Sequence, residues 1–352
     1  MMRLGTVSQK RAWKAAGVLL AIGLLAGPAL SFTQTLVRGT GASFPAPVYA
    51  MWMTAYQKIR PEVQIDYAAI GSGGGIRAIL EGTVDFGATD GPMSDKQLQG
   101  YSEAHGSRIL HFPTVLGAAV PAYNLPGSPE INFTPEILSG IYLGKITRWD
   151  DPLLREANPK AALPSASIVA LHRSEGSGTT YVWADYLCKV SDVWKTKVGK
   201  GFSVNWPVGL AGRGNDGISE LIAKTPSSLG YVELSYALQK RLTYGRVRNS
   251  SGNFVKADLE SVGAAAADVA LSGSEDFRLS ITNAPRKGAF PISSFSWLLI
   301  PSKIQDPNKK KAIVDFLTWA LTDGQNLTQQ LVYARVPAQI VTKELAEVSK
   351  IQ

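Results

Sequence analysis

Residues 63–80 read VQIDYAAIGSGGGIRAIL, and this stretch decides how the rest of the chain is interpreted. Every second residue from 63 to 69 is apolar, which is the period of a β-strand. The segment GSGGG, residues 71–75, follows directly, and the apolar residues after it have the spacing of one face of a helix that we expect to begin at Ile76. A strand, a glycine-rich turn and a helix in succession are typical of α/β proteins.

The same order of elements recurs along the chain. Further apolar strand segments are predicted at residues 84–88, 112–123, 168–172 and 295–300. Thr134-Pro135-Glu136 has the signals of a helix start, namely a hydroxyl N-cap, a proline in the first turn and an acid against the helix dipole. Asp306-Pro307 is predicted to cap the terminal helix of the chain. The fold class is therefore predicted to be α/β.

The first 31 residues are predicted to be a secretory signal peptide, not part of the fold. Basic residues between positions 3 and 14 precede an apolar run at 15–26, and Ala29-Leu30-Ser31 is a small-residue cleavage site. The apolar run is shorter than a membrane span requires, which disfavours the alternative of a transmembrane anchor. Cleavage near Ser31 would leave about 320 residues, a length that usually forms two domains around two cores.

Charge and composition exclude several classes of function. The formal net charge is +8, but four of the positive charges lie in the predicted signal peptide, so half of it, +4, remains on the rest of the chain. That balance suits an anionic ligand and lacks the clustered excess of a nucleic-acid binder. One cysteine and three histidines without ligand spacing argue against a metal or another cofactor. The chain also lacks a Gly-x-Ser-x-Gly elbow and a Walker lysine.

Three segments place small or hydroxyl residues at the start of a predicted helix: residues 41–44, 71–75 and 176–180. A helix start has unpaired N–H groups and partial positive charge, so it favours an anion. Each segment alone is weak evidence, because Ser or Thr beside Gly before a helix is usually just a cap and a turn. Three of them together favour an anion pocket, as does Arg173, whose planar fork can hold two oxygens. Glu175 is placed to brace that guanidinium, although an ordinary exposed arginine is the alternative.

Six motifs resemble those of the phosphate-binding proteins of bacterial ABC phosphate importers. They are GASFPAP (41–47), IGSGGG (70–75), VDFGATD (84–90), IYLGKI (141–146), GSGT (176–179) and GRGNDG (212–217). The resemblance runs in order from about residue 39 to the helix after Asp306. It implies two α/β lobes, each a sheet flanked by helices, with the ligand in the cleft between them. Lobe 1 would be residues 32–122 plus 293–352, and lobe 2 residues 123–292.

The resemblance also implies a phosphate site. Its members would be Ser43, Phe44, Ser72 and Asp90 from lobe 1, and Arg173, Ser177, Gly178 and Thr179 from lobe 2. The chain departs from the family where Ser43 replaces a frequent threonine and where Glu175 replaces the aspartate that commonly braces the arginine. Asp90 should repel an anion unless the ligand has a proton to give. Hydrogen phosphate has one, and sulfate at neutral pH does not.

By this resemblance the chain is expected to be a periplasmic receptor that binds inorganic phosphate without altering it. Its partners would be the permease subunits of an ABC importer, with the ATPase on the cytoplasmic side. We expect a monomer that contacts the membrane only through that complex. Three alternatives remain: a phosphate-sensing or phosphate-sequestering surface protein, a phosphate-ester hydrolase, and a receptor for sulfate or another oxyanion.

Overall fold

The computed structural model describes residues 34–268 and 276–352. The predicted signal peptide, residues 1–31, lies outside the described residues. Across the two described segments, no helix has both the length and the apolar character that a membrane crossing requires. The described chain forms the mixed α/β fold that the sequence predicts.

The strands and helices of the described residues alternate along most of the chain. The strands are β1 (Thr35–Gly41), β2 (Val63–Ala69), β3 (Phe86–Thr89), β4 (Ile109–Tyr123), β5 (Asn132–Phe133), β6 (Val169–Arg173), β7 (Leu210–Gly212), β8 (Ser228–Glu233), β9 (Thr243–Tyr244), β10 (Arg246–Arg248), β11 (Phe254–Val255) and β12 (Ser293–Pro301). The helices are α1 (Ala46–Ile59), α2 (Ser72–Leu80), α3 (Asp95–His105), α4 (Pro135–Tyr142), α5 (Pro152–Ala157), α6 (Gly178–Val190), α7 (Asp192–Lys197), α8 (Gly214–Lys224), α9 (Leu234–Gln239), α10 (Leu259–Ala266), α11 (Pro307–Leu321), α12 (Gln325–Thr328) and α13 (Ala338–Val348). A 3₁₀ turn, Gln329–Leu331, follows α12.

One long strand joins two groups of strands in the main sheet, whose order is β2-β1-β3-β12-β4-β8-β6-β7 with β9 also on β4. Residues 109–118 of β4 pair antiparallel with β12, and its last five residues pair antiparallel with β8. On one side β1, β2 and β3 run parallel, and on the other β6 runs parallel to β7 and β8. A small second sheet has the order β11-β10-β5.

The apolar residues form two main cores, as the chain length predicts. One draws on both ends of the described chain and includes Trp52, Phe112 and Leu317. The other is built mainly from the middle of the chain around the buried Trp149 and Trp183. The two-lobed architecture is therefore confirmed, while the boundaries near residues 122 and 292 remain our proposal.

The predicted strands are all present, with ends that differ by at most three residues. Helix α2 differs more, because it begins at Ser72 instead of Ile76 and takes the glycines into its first turn. Close packing explains their presence there: a Cβ at Gly75 would lie 2.6 Å from the Cα of Gly41 and 2.7 Å from the carbonyl oxygen of Ala88. Glycine allows this approach because it has no side chain to clash.

The prediction that the helix after Asp306 is terminal is wrong. Helix α11 does begin at Pro307, with Asp306 as its N-cap, but α12 and α13 follow it. Val348 and Ile351, in and just after α13, belong to the same core as residues of α11. The chain beyond α11 therefore folds because its apolar residues complete that core.

Helix α13 also buries the carboxyl group of Glu344, for which the described residues provide no hydrogen-bond partner. Glu344 has a relative exposure of 0 %, and within residues 34–268 and 276–352 neither of its oxygens has a hydrogen-bond partner. Burial raises the pKa of Glu344 well above its usual value. A carboxyl group with a raised pKa in the folded state favours folding at low pH, and this contribution is lost as the pH rises toward the folded-state pKa.

Replacing this carboxyl group should stabilise the protein. Glu344→Leu is expected to raise the free energy of unfolding by about 1–3 kcal/mol, the usual cost of an unsatisfied buried polar group. The gain should be larger at pH 8 than at pH 5, since only the native side chain becomes harder to bury as it ionises. Urea unfolding at both pH values measures it. Glu347→Gln, which removes only the ion pair with Lys350, is the control. Unchanged or reduced stability of Glu344→Leu would contradict this interpretation.

Candidate functional site

The eight residues predicted to bind the ligand come together in the structure. Each lies at or near the end of a strand or the start of a helix, and all eight are buried. Ser43 and Phe44 connect β1 to α1, Ser72 opens α2, and Asp90 follows β3. Arg173 ends β6, and the segment 177–179 begins α6. The carboxyl ends of parallel strands thus supply most of the cluster, as is usual for ligand sites in open α/β sheets.

Arg173 is at the centre of this cluster and is 3 % exposed. Its Nη2 donates to Ser43 Oγ at 3.1 Å, and its Nη1 donates to Thr179 Oγ1 at 3.0 Å. The fork expected to hold two oxygens therefore holds the oxygens of two hydroxyl groups. Because Ser43 belongs to the proposed lobe 1 and Thr179 to lobe 2, Arg173 contacts residues from both halves of the chain.

Glu175 braces the arginine despite the substitution for aspartate. Its Oε1 accepts from Arg173 Nε at 2.9 Å and also from Nη2, and the backbone N–H of Gly214 donates to the same oxygen at 3.1 Å. Burial alone would raise the pKa of Glu175, but the charge and hydrogen bonds of Arg173 hold it below its usual value. Glu175 is thus held as a carboxylate that fixes the plane of the guanidinium.

Asp90 provides a carboxyl group on the other side of the cluster. It is 1 % exposed, and its Oδ2 accepts from Ser72 Oγ at 3.3 Å, while the Ser72 hydroxyl oxygen accepts from the backbone N–H of Asp90 at 3.1 Å. Gly178 lies close by, since a Cβ on it would fall 2.3 Å from both Asp90 Oδ2 and Ser72 Oγ. Burial raises the pKa of Asp90 to about 7, against the opposing effects of Ser296 and the Arg173 charge.

Ser177 and Phe44 contribute mainly through the backbone around them. The Ser177 hydroxyl oxygen accepts from Thr180 N at 3.1 Å as the N-cap of α6, which leaves its own proton free to donate. The N–H groups of Gly178 and Thr179, which precede Thr180, have no partner within the helix, since a helix start provides none for its first N–H groups. The Phe44 ring is buried in a core, and its carbonyl oxygen accepts from Tyr333 at 2.6 Å. The backbone N–H is therefore the group of Phe44 that can donate a hydrogen bond to an anion.

The two glycine-rich segments touch each other across the cluster. The N–H of Gly73 donates to the carbonyl oxygen of Gly176 at 2.9 Å, and a Cβ on Gly71 would lie 2.7 Å from the same oxygen. Gly71 also has a φ of 96°, which a side chain would strain. Since both segments are in contact and every predicted site residue is buried, Asp90 and Arg173 are closed to solvent in this structure.

Two functional residues were missed by the sequence analysis, Asn215 and Ser296. Asn215 opens α8 and donates from Nδ2 to Ser43 Oγ at 3.0 Å. It lies inside the motif at 212–217, so a signal existed, although no single residue in it was singled out. Ser296 lies on β12 and donates to Asp90 Oδ1 at 2.7 Å. Nothing in the local sequence of a buried strand marks such a residue, because its partner is 206 positions away.

Other features of the described residues do not compete with this cluster. In residues 34–268 and 276–352, no group of three or more His, Cys, Asp or Glu side chains is placed to hold a metal ion. A cavity of about 650 Å³ lies elsewhere, between α3, the first residues of β4 and the end of α13, and none of the eight residues lines it. The buried cluster around Arg173 and Asp90 is accordingly the candidate site.

Similarity to known proteins shows the family to which this chain belongs. Residues 26–324 match the model of the PBP superfamily domain. Relatives named phosphate-binding protein PstS include one from Pasteurella multocida, 38% identical over 94% of this chain and 94% of that protein. One from Xylella fastidiosa is 40% identical over 87% of this chain and 82% of its own length. The chain belongs to the PstS family of phosphate-binding proteins.

Solved structures agree on the fold. A phosphate-binding protein from Stenotrophomonas maltophilia superposes with a TM-score of 0.69 at 18% identity, covering 89% of this chain and 94% of that one. A high-affinity periplasmic phosphate-binding protein solved with phosphate gives a TM-score of 0.72 at 19% identity, covering 88% and 93%. At such low identity these likenesses concern the fold alone.

Proposed function

We propose that this chain is a periplasmic receptor that binds one hydrogen phosphate ion reversibly and leaves it chemically unaltered. It would release the ion to the permease subunits of an ABC importer whose ATPase lies on the cytoplasmic side. Export by a signal peptide cleaved near Ser31, and action as a monomer, belong to the same proposal. The family supports phosphate as the ligand, because the PstS relatives carry that ligand in their names.

One observation supports this function most strongly. A buried guanidinium, several hydroxyl groups and the N–H groups of helix starts lie around Asp90, which is the one carboxyl group among the eight proposed ligands. Such a set offers many donors and one acceptor, which complements a tetrahedral anion that carries one proton. The proposed ligands are Ser43, Phe44, Ser72, Asp90, Arg173, Ser177, Gly178 and Thr179. We propose no chemical step, since the named relatives are phosphate-binding proteins and the sequence contains neither a Gly-x-Ser-x-Gly elbow nor a Walker lysine.

Binding can be measured directly by calorimetry on protein freed of phosphate by unfolding and refolding. We expect one phosphate bound per chain and the whole ion recovered afterwards. Arsenate, which has the same shape and also carries a proton, should compete, and sulfate should not. Absence of heat with phosphate would overturn the proposed function. Turnover of a chromogenic phosphate ester would replace it with a hydrolase.

A further inference from the structure

The side chain of Phe202 packs against the half of the chain to which it does not belong. Phe202 lies in the loop between α7 and β7, in the proposed lobe 2, and is half-buried. It packs against a small third core, whose buried members all belong to the proposed lobe 1: Ile76, Ile79, Met93, Tyr101, Ile109 and Leu299. The other partly buried residues on this core are also in lobe 1, namely Leu80, Val84 and Leu98. Among the described residues, Phe202 is therefore the one apolar residue that lobe 2 contributes to this core.

A second contact between the halves lies beside the proposed phosphate site. Gly91 follows Asp90 directly, and a Cβ on it would lie 2.6 Å from the ring of Tyr181 and 3.0 Å from the ring of Phe202. The two rings pack against each other, with their centroids 5.1 Å apart. The backbone next to Asp90 is thus in close contact with two aromatic rings of lobe 2.

The loop that carries Phe202 is held to helix α6. The carbonyl oxygen of Phe202 accepts from the backbone N–H of Ser177, the N-cap of α6 and a proposed phosphate ligand, at 2.7 Å. Two residues earlier, Lys200 Nζ donates to Asp185 Oδ1, in the same helix, at 2.8 Å. Because the loop is bound to α6 at these two points, we expect the Phe202 ring to move together with the helix start when the two halves separate.

We propose that Phe202 is a positioning residue that holds the two halves together around the bound ion and so slows its release. Its ring offers no hydrogen bond to an anion, so its effect is on the closed state. Separation of the halves would expose the ring and the core beneath it to water, which is unfavourable for apolar surface. The closed state is thereby favoured over the open one. This inference rests on the proposed function and deepens it, since it concerns how long phosphate stays bound.

The rate of phosphate release tests this role. Radiolabelled phosphate bound to the protein is chased with an excess of unlabelled phosphate, and the label still bound is followed by rapid filtration. We expect Phe202→Ala to release phosphate about tenfold faster than the native protein or more, the effect of losing the buried part of one phenyl ring. This holds whether the free protein rests open or closed, because release passes through the open state in either case. Equal release rates would overturn the proposal.

A second variant covers the case in which Phe202→Ala does not fold. Phe202→Leu keeps an apolar side chain of intermediate size, so it should retain part of the contact with the lobe 1 core. Its release rate should lie between those of the native protein and Phe202→Ala. Release from Phe202→Leu at the native rate would contradict the proposal.

Phe254→Ala is the matched control in the same half of the chain. Phe254 is also half-buried, but it lies on β11 and lines a separate groove with residues of lobe 2 such as Thr134 and Arg248. This variant should release phosphate at the native rate. Equal acceleration by both alanine variants would mean that release responds to any loss of packing, and would overturn the proposal. Failure of native protein to bind phosphate would instead refute the proposed function, so the two failures are distinguishable.

Discussion

Asp90→Asn is expected to keep phosphate binding while losing most of the discrimination against sulfate. Phosphate and sulfate have similar size and shape, so a site made only of donors would attract both. Asp90 is the one carboxylate among the proposed ligands, and against sulfate two negatively charged acceptors would face each other in a buried site. Sites that leave buried polar groups unpaired can discriminate by ~10⁴–10⁵-fold. An asparagine at this position presents an N–H to sulfate, which removes the unpaired contact.

Competition of sulfate against bound phosphate measures this effect. At pH 8.5 we expect sulfate to displace phosphate from Asp90→Asn at concentrations that leave the native protein unaffected. Ser72→Ala, which removes a neighbouring hydroxyl group but keeps the carboxylate, should still exclude sulfate. If the asparagine variant excludes sulfate as strongly as the native protein, Asp90 is not the selecting residue.

The same carboxyl group makes sulfate rejection dependent on pH. Since burial raises the pKa of Asp90 to about 7, its charge in the ligand-free protein is present above that pH and lost below it. A protonated Asp90 can donate to sulfate, so rejection by the native protein should weaken between pH 8.5 and pH 5.5. Asp90→Asn lacks this carboxyl group, so its sulfate affinity should vary less over this range than that of the native protein.

Arg173→Lys is expected to weaken phosphate binding by about a hundredfold or more, although the formal charge is unchanged. A guanidinium holds Ser43, Thr179 and Glu175 at once, and an ammonium group cannot reproduce this planar set of contacts. Changes to buried, hydrogen-bonded charge pairs cost about 2–5 kcal/mol, much of it from the partner left behind. Here that partner is Glu175, whose carboxylate would stay close to the bound anion.

Titration calorimetry of both proteins with phosphate gives the ratio of dissociation constants. Arg213→Lys is the matched control, because Arg213 is exposed and lies just before α8 in the same region of the chain. It should bind phosphate as the native protein does. Equal affinities of Arg173→Lys and native protein would contradict the role assigned to the guanidinium.

The elements of the site could be predicted because each has a local signal. Glycines between a predicted strand and a predicted helix indicated residues 71–75 and 176–178. Arg173 was indicated because it is a charged residue at the end of a predicted strand. Their meeting in one cluster followed from the resemblance to a family, not from any single motif. The sequence also indicated Glu175 as the brace, and the structure shows that the longer side chain reaches the guanidinium.

Other contacts could not be predicted because they depend on residues far apart in the chain. Ser296 meets Asp90 only because β12 inserts between β3 and β4. The orientation of Asn215 depends on the backbone of Glu233, at the end of another strand. The start of α2 at Ser72 likewise depends on the close packing of Gly75 against Gly41 and Ala88. These contacts join distant parts of the chain, so the local sequence pattern does not indicate them.

The most direct test of the account is a crystal structure of the protein with phosphate at a pH above 8. One tetrahedral ion should lie between the two halves of the chain, with unprotonated oxygens at Ser43, Thr179 and the first N–H groups of α6. Its remaining oxygen should be about 2.5–2.7 Å from the carboxylate of Asp90, the length of a charge-assisted O–H···O⁻ hydrogen bond. An ion bound elsewhere, or one separated from Asp90 by water, would contradict the account.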